Sequence, residues 1–174
     1  MAVAMQGRVE PETYVECVDF LVHEAELLDN NEMRAWLDLM APEISYTVPI
    51  RVTRERTAGP GFSRDGFHMK EDYGSLETRV TRLETEYAWA EDPPSRMRRF
   101  VSNFRIRPGD QPDQISATTN LLIFRGRFDS TDYDLLSCER RDVLRRGDDE
   151  LKILERVVLL DHTTLATHNL AFFF

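Results

Sequence analysis

Three long stretches in the second half of the chain, Ile115 to Phe128, Tyr133 to Arg146 and Leu151 to Leu160, are joined by short links at Asp129-Ser130 and at Gly147-Asp148-Asp149. A parallel crossover needs roughly a dozen residues or more, so strands with links this short must pair antiparallel with their neighbours. Just upstream, Phe100, Ser102, Phe104 and Ile106 alternate against Val101, Asn103 and Arg105, and Pro108 to Asp113 supplies the turn into Ile115. Both alternating faces of that segment carry bulk. The second half of the chain therefore reads as a long antiparallel meander.

The first half reads differently. Pro11 suits a first helical turn, and Glu10 and Glu12 lie where the positive end of the helix dipole favours acids. Tyr14, Val18, Leu21, Val22, Ala25 and Leu28 recur at helical spacing, which predicts an amphipathic helix with an acidic back. Asp29-Asn30-Asn31 breaks it and caps a short second helix, in which Met33, Trp36, Leu37 and Met40 share a face before Pro42 ends it. From Ile44 to Val52 the period falls to two, with Pro49 marking an edge position or a bulge. Thr57 to Tyr73 holds Gly59, Pro60, Gly61 and Gly66 without periodicity and is expected to be a loop. Ser75 opens a third helix with Leu76, Val80, Leu83 and Tyr87 inward, and the pair Pro93-Pro94 stops it. Three helices and an antiparallel meander define an α+β class, with helices on one face of a curved sheet.

The double proline is followed by an arginine-rich strand: five arginines and no acid lie between Arg96 and Arg107. With Trp89 beside it, this corner has the composition of a docking surface, because arginine and tryptophan are enriched at interface hot spots. The alternative is a buried Trp89 and a solvated arginine rim.

A length of 174 residues suits one domain, 1–174, large enough for a real core, and no apolar run approaches the roughly 20 residues that cross a bilayer. Met1 to Arg8 lacks a basic segment followed by an apolar one, so no secretory leader is expected and the cytoplasm is the expected compartment. The net charge of −9 comes largely from Glu10 to Asp38, where nine acids face the single base Arg34. That balance argues against nucleic acid as a partner, since phosphate binding needs a dominant basic face. Cys17 and Cys138 are far apart and read as reduced thiols.

The inventory for chemistry is thin. Neither cysteine has a histidine or a second cysteine within four residues, so a Rieske pair of ligand sets is not present. Asp161, His162 and His168 are the nearest approach to a two-histidine, one-carboxylate iron site, and no helical register converges them. No phosphate loop, dinucleotide fingerprint or nucleophile elbow occurs. A cone-shaped fold can still enclose a cavity in which His68, His23 or Glu139 would do acid–base work on a small apolar substrate, as in a stand-alone isomerase or dehydratase. A simple oligomeric binding protein is the third class.

Several segments together carry a resemblance. Glu24-Ala25-Glu26-Leu27-Leu28-Asp29, Ala35-Trp36-Leu37, Trp89-Ala90-Glu91-Asp92-Pro93-Pro94-Ser95-Arg96, Val101-Ser102-Asn103, Glu139-Arg140-Arg141-Asp142, Leu159-Leu160-Asp161 and the tail Thr167-His168-Asn169-Leu170 with Phe172-Phe173-Phe174 resemble the small (β) subunit of aromatic-ring-hydroxylating dioxygenases. The Glu-Asp-Pro-Pro-Ser-Arg run is nearest the biphenyl-type branch, the tail is also similar to naphthalene-type subunits, and Arg54 to Tyr73 matches poorly. The resemblance implies a nuclear-transport-factor-2-like cone, shared with scytalone dehydratase, and a hexamer of three α and three β chains. It implies no cofactor here: the Rieske [2Fe–2S] cluster and mononuclear Fe(II) belong to the α subunit, fed from NADH through a reductase and ferredoxin. The role implied for this chain is structural, in an oxidoreductase that converts arenes to cis-dihydrodiols. Expected interface residues are Trp89, Arg96, Arg98, Arg99 and the triple phenylalanine Phe172, Phe173 and Phe174, with burial of the tail in its own chain as the alternative.

Overall fold

The computed structural model describes residues 7–55, 59, 61–84, 95–127, 129–148, 150–165, 167 and 170–174. Helix α1 spans Pro11–Asp29, with proline in its first turn and Glu12 beside it. It ends where Asn30 donates to the Glu26 carbonyl at 3.0 Å and Asn31 takes a left-handed φ of 61°, a conformation asparagine tolerates better than most residues. The inward face is Cys17, Leu21, Glu24, Ala25, Leu27 and Leu28, which keeps Leu21, Ala25 and Leu28 of the expected stripe and leaves Tyr14 and Val22 exposed. That face also takes in Glu24, which polarity alone would place on the solvent side.

Helix α2 covers Met33–Leu37, and strand β1 runs unbroken over Met40–Arg51. Pro42 therefore lies within a strand instead of ending a helix. It sits where the β1–β6 ladder is irregular, between Met40 and Ser45, so its missing N–H costs no regular ladder bond. Pro49 occupies a register shift against the next strand, which is the bulge its position implied; β1 is not an edge.

Strand β2, Phe62–Glu71, replaces the loop expected over this region; positions 57, 58 and 60 lie outside the described residues. Its burial does not alternate, and only Met69 along it is fully buried, so periodicity had nothing to detect. What makes it a strand is backbone pairing to β1, from Tyr46↔Glu71 to Arg51↔Phe62.

Helix α3, Tyr73–Leu83, begins two residues before Ser75, with Asp72 as N-cap. Asp72 Oδ1 accepts from the Ser75 N–H at 2.8 Å and Ser75 Oγ accepts from the Asp72 N–H at 2.9 Å, a reciprocal capping box. Asp72→Ala is expected to lower stability by about 1 kcal/mol, readable as a shift in urea midpoint at constant m-value. Leu76 and Val80 point inward as expected, while Tyr87 and the Pro93-Pro94 stop lie outside the described residues.

Strands β3 (Arg96–Pro108), β4 (Gln114–Gly126), β5 (Tyr133–Arg146) and β6 (Leu151–Leu160) form the antiparallel meander. One six-stranded sheet results, in the order β2-β1-β6-β5-β4-β3. Its closing contact is β1 alongside β6, and this pair is parallel, so the sheet is mixed. The three helices and the C-terminal tail cover the concave face, where the core gathers around Trp36, Tyr46, Leu121, Ile123 and Phe173.

Candidate functional site

A cone of this kind could hold a binding cavity on its concave side; here that space is filled by charge and by the chain's own tail. Glu24 projects from α1 between Arg140 of β5 and Arg156 of β6, and all three are fully buried. Arg140 Nη1 donates to Glu24 Oε2 at 3.0 Å, and Arg156 donates from Nη2 to Glu24 Oε2 at 2.9 Å and from Nη1 to Oε1. Arg156 also grips Asp142 through Nε at 2.7 Å and Nη2 at 3.0 Å. Trp36 Nε1 donates to Glu24 Oε1 at 3.1 Å. Two carboxylates thus balance two guanidiniums in a dry interior, where such pairs are strong once assembled and costly when incomplete.

Burial alone would push the Glu24 carboxyl up, but the charges of Arg156 and Arg140 outweigh it and hold the group down at about 2. Burial likewise pushes the Tyr46 phenol up to about 12. Both thiols behave the same way: Cys17 rises to about 11 and Cys138 to about 12 because burial disfavours the thiolate. Neither cysteine is a poised nucleophile.

The tail completes the filling. Phe172, Phe173 and Phe174 are all buried; Phe173 stacks on Trp36 with ring centroids 4.1 Å apart, and Arg125 lies over the Phe172 ring at 5.0 Å. The backbone is held as firmly as the rings. Arg99 Nη2 donates to the Phe173 carbonyl at 2.7 Å, Arg156 Nη1 to the Phe174 carbonyl at 2.8 Å, and the Phe174 N–H to Tyr46 Oη at 2.9 Å. What remains beside the tail is a cleft of about 260 Å³ between Arg79, Arg82, Leu83, Leu170 and Phe172.

The residues expected at interfaces therefore part company. Arg99 is inside, its Nη1 donating to Asp29 Oδ1 at 2.7 Å and its backbone N–H to Asp29 Oδ2 at 3.0 Å. The triple phenylalanine is covered by its own chain. Arg96 and Arg98 stay on the surface, Arg98 reaching Asp29 at 3.6 Å while 67% exposed. Trp89 lies outside the described residues.

The candidates for acid–base work do not converge. His23 stands on the exposed side of α1, 3.6 Å from Glu26, His68 is on β2, and Glu139 is taken up at the surface by Arg105 at 2.9 Å and Arg141 at 2.8 Å. Asp161 accepts from Ser137 Oγ at 2.9 Å; its would-be partner His168 lies outside the described residues. Among the described residues no group of three or more His, Cys, Asp or Glu side chains is placed to share a metal ion.

Sequence reasoning missed a surface on the other side of the sheet. Phe100, Leu122, Phe124, Tyr133 and Leu135 are all exposed, and the register sets Phe100 beside Leu122 and Phe124 beside Leu135. The signal was present as bulk on both alternating faces, which a strand with one wet side does not need.

The profile of the family described as ring hydroxylating beta subunit matches residues 23–167. The β subunit of biphenyl 2,3-dioxygenase from Rhodococcus jostii (strain RHA1) is 31% identical over 171 residues, covering 95% of this chain and 91% of the relative. The β subunit of chlorobenzene dioxygenase from Cupriavidus sp. (strain PS12) is 34% identical, with the same coverage. A structure of naphthalene 1,2-dioxygenase with indole bound in the active site superposes with a TM-score of 0.84 at 25% identity, covering 97% of this chain and 89% of that one. The fold extends further, to a scytalone dehydratase candidate from Novosphingobium aromaticivorans DSM 12444 at TM-score 0.65 and 10% identity, covering 91% and 90% of the two chains. With a family profile spanning most of its length and curated relatives above 30% identity, this chain belongs to the β-subunit family of the ring-hydroxylating dioxygenases.

Proposed function

We propose that the chain, as one domain over 1–174, is the non-catalytic β subunit of the terminal oxygenase of a multicomponent aromatic-ring dioxygenase, holding a larger α subunit in its working assembly. The observation that carries this reading is the occupied cone: the buried carboxylates Glu24 and Asp142, which could otherwise ligate a metal or move a proton, are bound by Arg140 and Arg156, and aliphatic side chains together with Trp36, Tyr46 and the tail phenylalanines pack around them. Chemistry is left to the partner, which would carry the Rieske cluster and the mononuclear iron and receive NADH-derived electrons. The relatives named for biphenyl, chlorobenzene and naphthalene dioxygenases support an aromatic hydrocarbon as the substrate, with biphenyl or a polycyclic arene as our reading. Three α and three β chains, in the cytoplasm, are the assembly and compartment that go with it.

Within that assembly we assign the corner formed by Trp89, Arg96 and Arg98 to a subunit contact. Arg99, bound to Asp29 and to the Phe173 carbonyl, anchors the strand that carries Arg96 and Arg98. Two substitutions separate the roles. Arg98→Ala is expected to change the chain's own stability by no more than about 0.5 kcal/mol, as for an exposed pair, while weakening assembly in light scattering. Arg99→Ala is expected to cost about 1 to 3 kcal/mol, because the buried Phe173 carbonyl loses its donor and Asp29 keeps only the backbone N–H of residue 99 and the exposed Arg98.

The direct test is co-expression with the α subunit. The complex should contain iron and yield cis-dihydrodiol, and the isolated chain should do neither. Turnover or stoichiometric iron in the isolated chain would refute the proposal.

A further inference from the structure

Strand β3 lies at an edge of the sheet, with α1 packed along it. Its burial pattern changes partway. Through Val101 the odd-numbered side chains are the more buried; past Asn103 Phe104 and Ile106 take that place. The change is made at a bulge, where Asn103 adopts a left-handed φ of 54° and the register with β4 slips between Ser102 and Arg105. One inserted residue exchanges the two faces of a strand. Without it Arg105 and Arg107 would continue the inward row of Arg99. With it they stand at the rim, and Phe104 and Ile106 make an apolar floor.

Between this stretch of β3 and the segment from Gly7 to Val15 runs a groove of about 670 Å³, within the range of roughly 300 to 1,000 Å³ typical of small-molecule sites. Arg8, Arg105 and Arg107 line it, and among the described residues no carboxylate does. In a chain of net charge −9 that is a marked local excess of positive charge. Glu139 takes Arg105 Nη2 at 2.9 Å from the outer face of the sheet, one donor of the five on a guanidinium. The acids Glu12, Glu16 and Asp19 line a separate hollow, which shares only Pro11 and Val15 with the groove. Those acids set a direction: a negative group is driven toward the arginines and an apolar one toward Val15.

An inorganic anion in this groove would leave its apolar floor wet. A neutral hydrocarbon would strip water from the guanidiniums and return nothing. A molecule with both parts satisfies both walls. We infer that the groove is a binding site for an amphipathic carboxylate, its apolar body over Phe104 and Ile106 and its head held by Arg8, Arg105 and Arg107. Arginine suits the head because its planar fork meets a carboxylate through two parallel N–H donors. The site lies beyond the bulge from the corner at Arg96 and Arg98, so ligand binding and subunit contact are separable.

The test is calorimetric titration of the full chain, and of its complex with the α subunit, with octanoate as the probe. Octanoate should saturate one site with a Kd at or below about 1 mM. Butyrate, which has the head and little of the body, and 1-octanol, which has the body and no charge, should each bind about tenfold or more weakly. Arg8→Glu and Arg107→Glu should each weaken octanoate about tenfold or more. Arg64→Glu, on β2 at the opposite edge of the sheet, changes net charge equally and should alter the affinity by no more than about twofold. Thermal melts confirm that the three variants are folded.

Absence of saturation, 1-octanol or butyrate matching octanoate, or full affinity in both groove variants would each overturn the inference. An equal loss in Arg64→Glu would reduce the effect to net charge and overturn it as well. Binding by the isolated chain that disappears in the complex would make the groove a subunit contact, which is likewise incompatible with a ligand site.

Discussion

Phe173→Ala is expected to destabilise the isolated chain by about 3 to 5 kcal/mol, the cost of emptying a fully buried aromatic site that cannot collapse. The ring is 1% exposed and stacked on Trp36 at 4.1 Å, with Tyr46 edge-on at 6.4 Å. Its neighbours are fixed by the charge network, so the walls cannot move in to fill the void. Phe173→Leu keeps most of the volume and should lose less than half as much. Deleting Phe172 to Phe174 altogether should be more severe than any single substitution, because Arg99 Nη2, Arg156 Nη1 and Tyr46 Oη also lose their backbone partners. With total stabilities of about 5 to 15 kcal/mol for ordinary domains, that truncation should leave no cooperative urea transition. A tail that served only as an interface strap would give the opposite result: a normal monomer melt with assembly lost.

Glu24→Ala is the second large effect, about 3 to 5 kcal/mol. Removing the carboxylate leaves Arg140 and Arg156 facing each other in a dry core, with Asp142 alone against both charges. The comparison that isolates the charge from the packing is the simultaneous apolar replacement of Glu24, Asp142, Arg140 and Arg156 by residues of similar volume. That variant is expected to be far less destabilised than Glu24→Ala, since buried ion pairs return little net stability over a well-packed apolar core.

The same network fixes an acid limit. Glu24 sits at about 2 in the folded chain against an ordinary value of 4.5, so between those two values the unfolded chain binds more protons than the folded one. Its contribution to stability is complete above about pH 4.5 and is lost as pH falls toward 2. Urea midpoints should therefore decline through that window in the wild type and decline less in the apolar quadruple variant. Equal slopes would mean that other carboxylates dominate acid unfolding.

A buried network of this kind also bears on why one fold serves both enzymes and scaffolds. The cone leaves an interior that must be filled by something. Here α1, β5 and β6 each contribute one or more charged groups to it, and the tail closes it, so the interior ties together elements distant in the chain. Glu24 and Arg156 are 132 residues apart. Loss of any one partner is felt by all of them, which makes the interior a rigid support for the surfaces outside.

The amino-acid sequence alone determined the strands that local links dictate. Strands β5 and β6 run over the residues their alternation marks, β4 lies within one or two residues of them, and antiparallel pairing follows from connections too short for a parallel crossover, residues 127–132 and 147–150. The start of α1 at Pro11 and the inward pair Leu76 and Val80 of α3 were equally local, as was the family likeness, which resides in short runs of residue identity. Tertiary structure decided the rest. The parallel pairing of β1 with β6 joins segments more than a hundred residues apart and leaves no periodic trace in either. Strand β2 exists through backbone bonds to β1, which side-chain patterning does not report. Glu24, Arg99, Arg140 and Arg156 look like solvent residues by polarity, because a charge is buried only when its counter-charges arrive from elsewhere in the fold. The triple phenylalanine had two possible covers, its own chain or a neighbour. Tertiary packing chose the first, since the cone would otherwise be hollow.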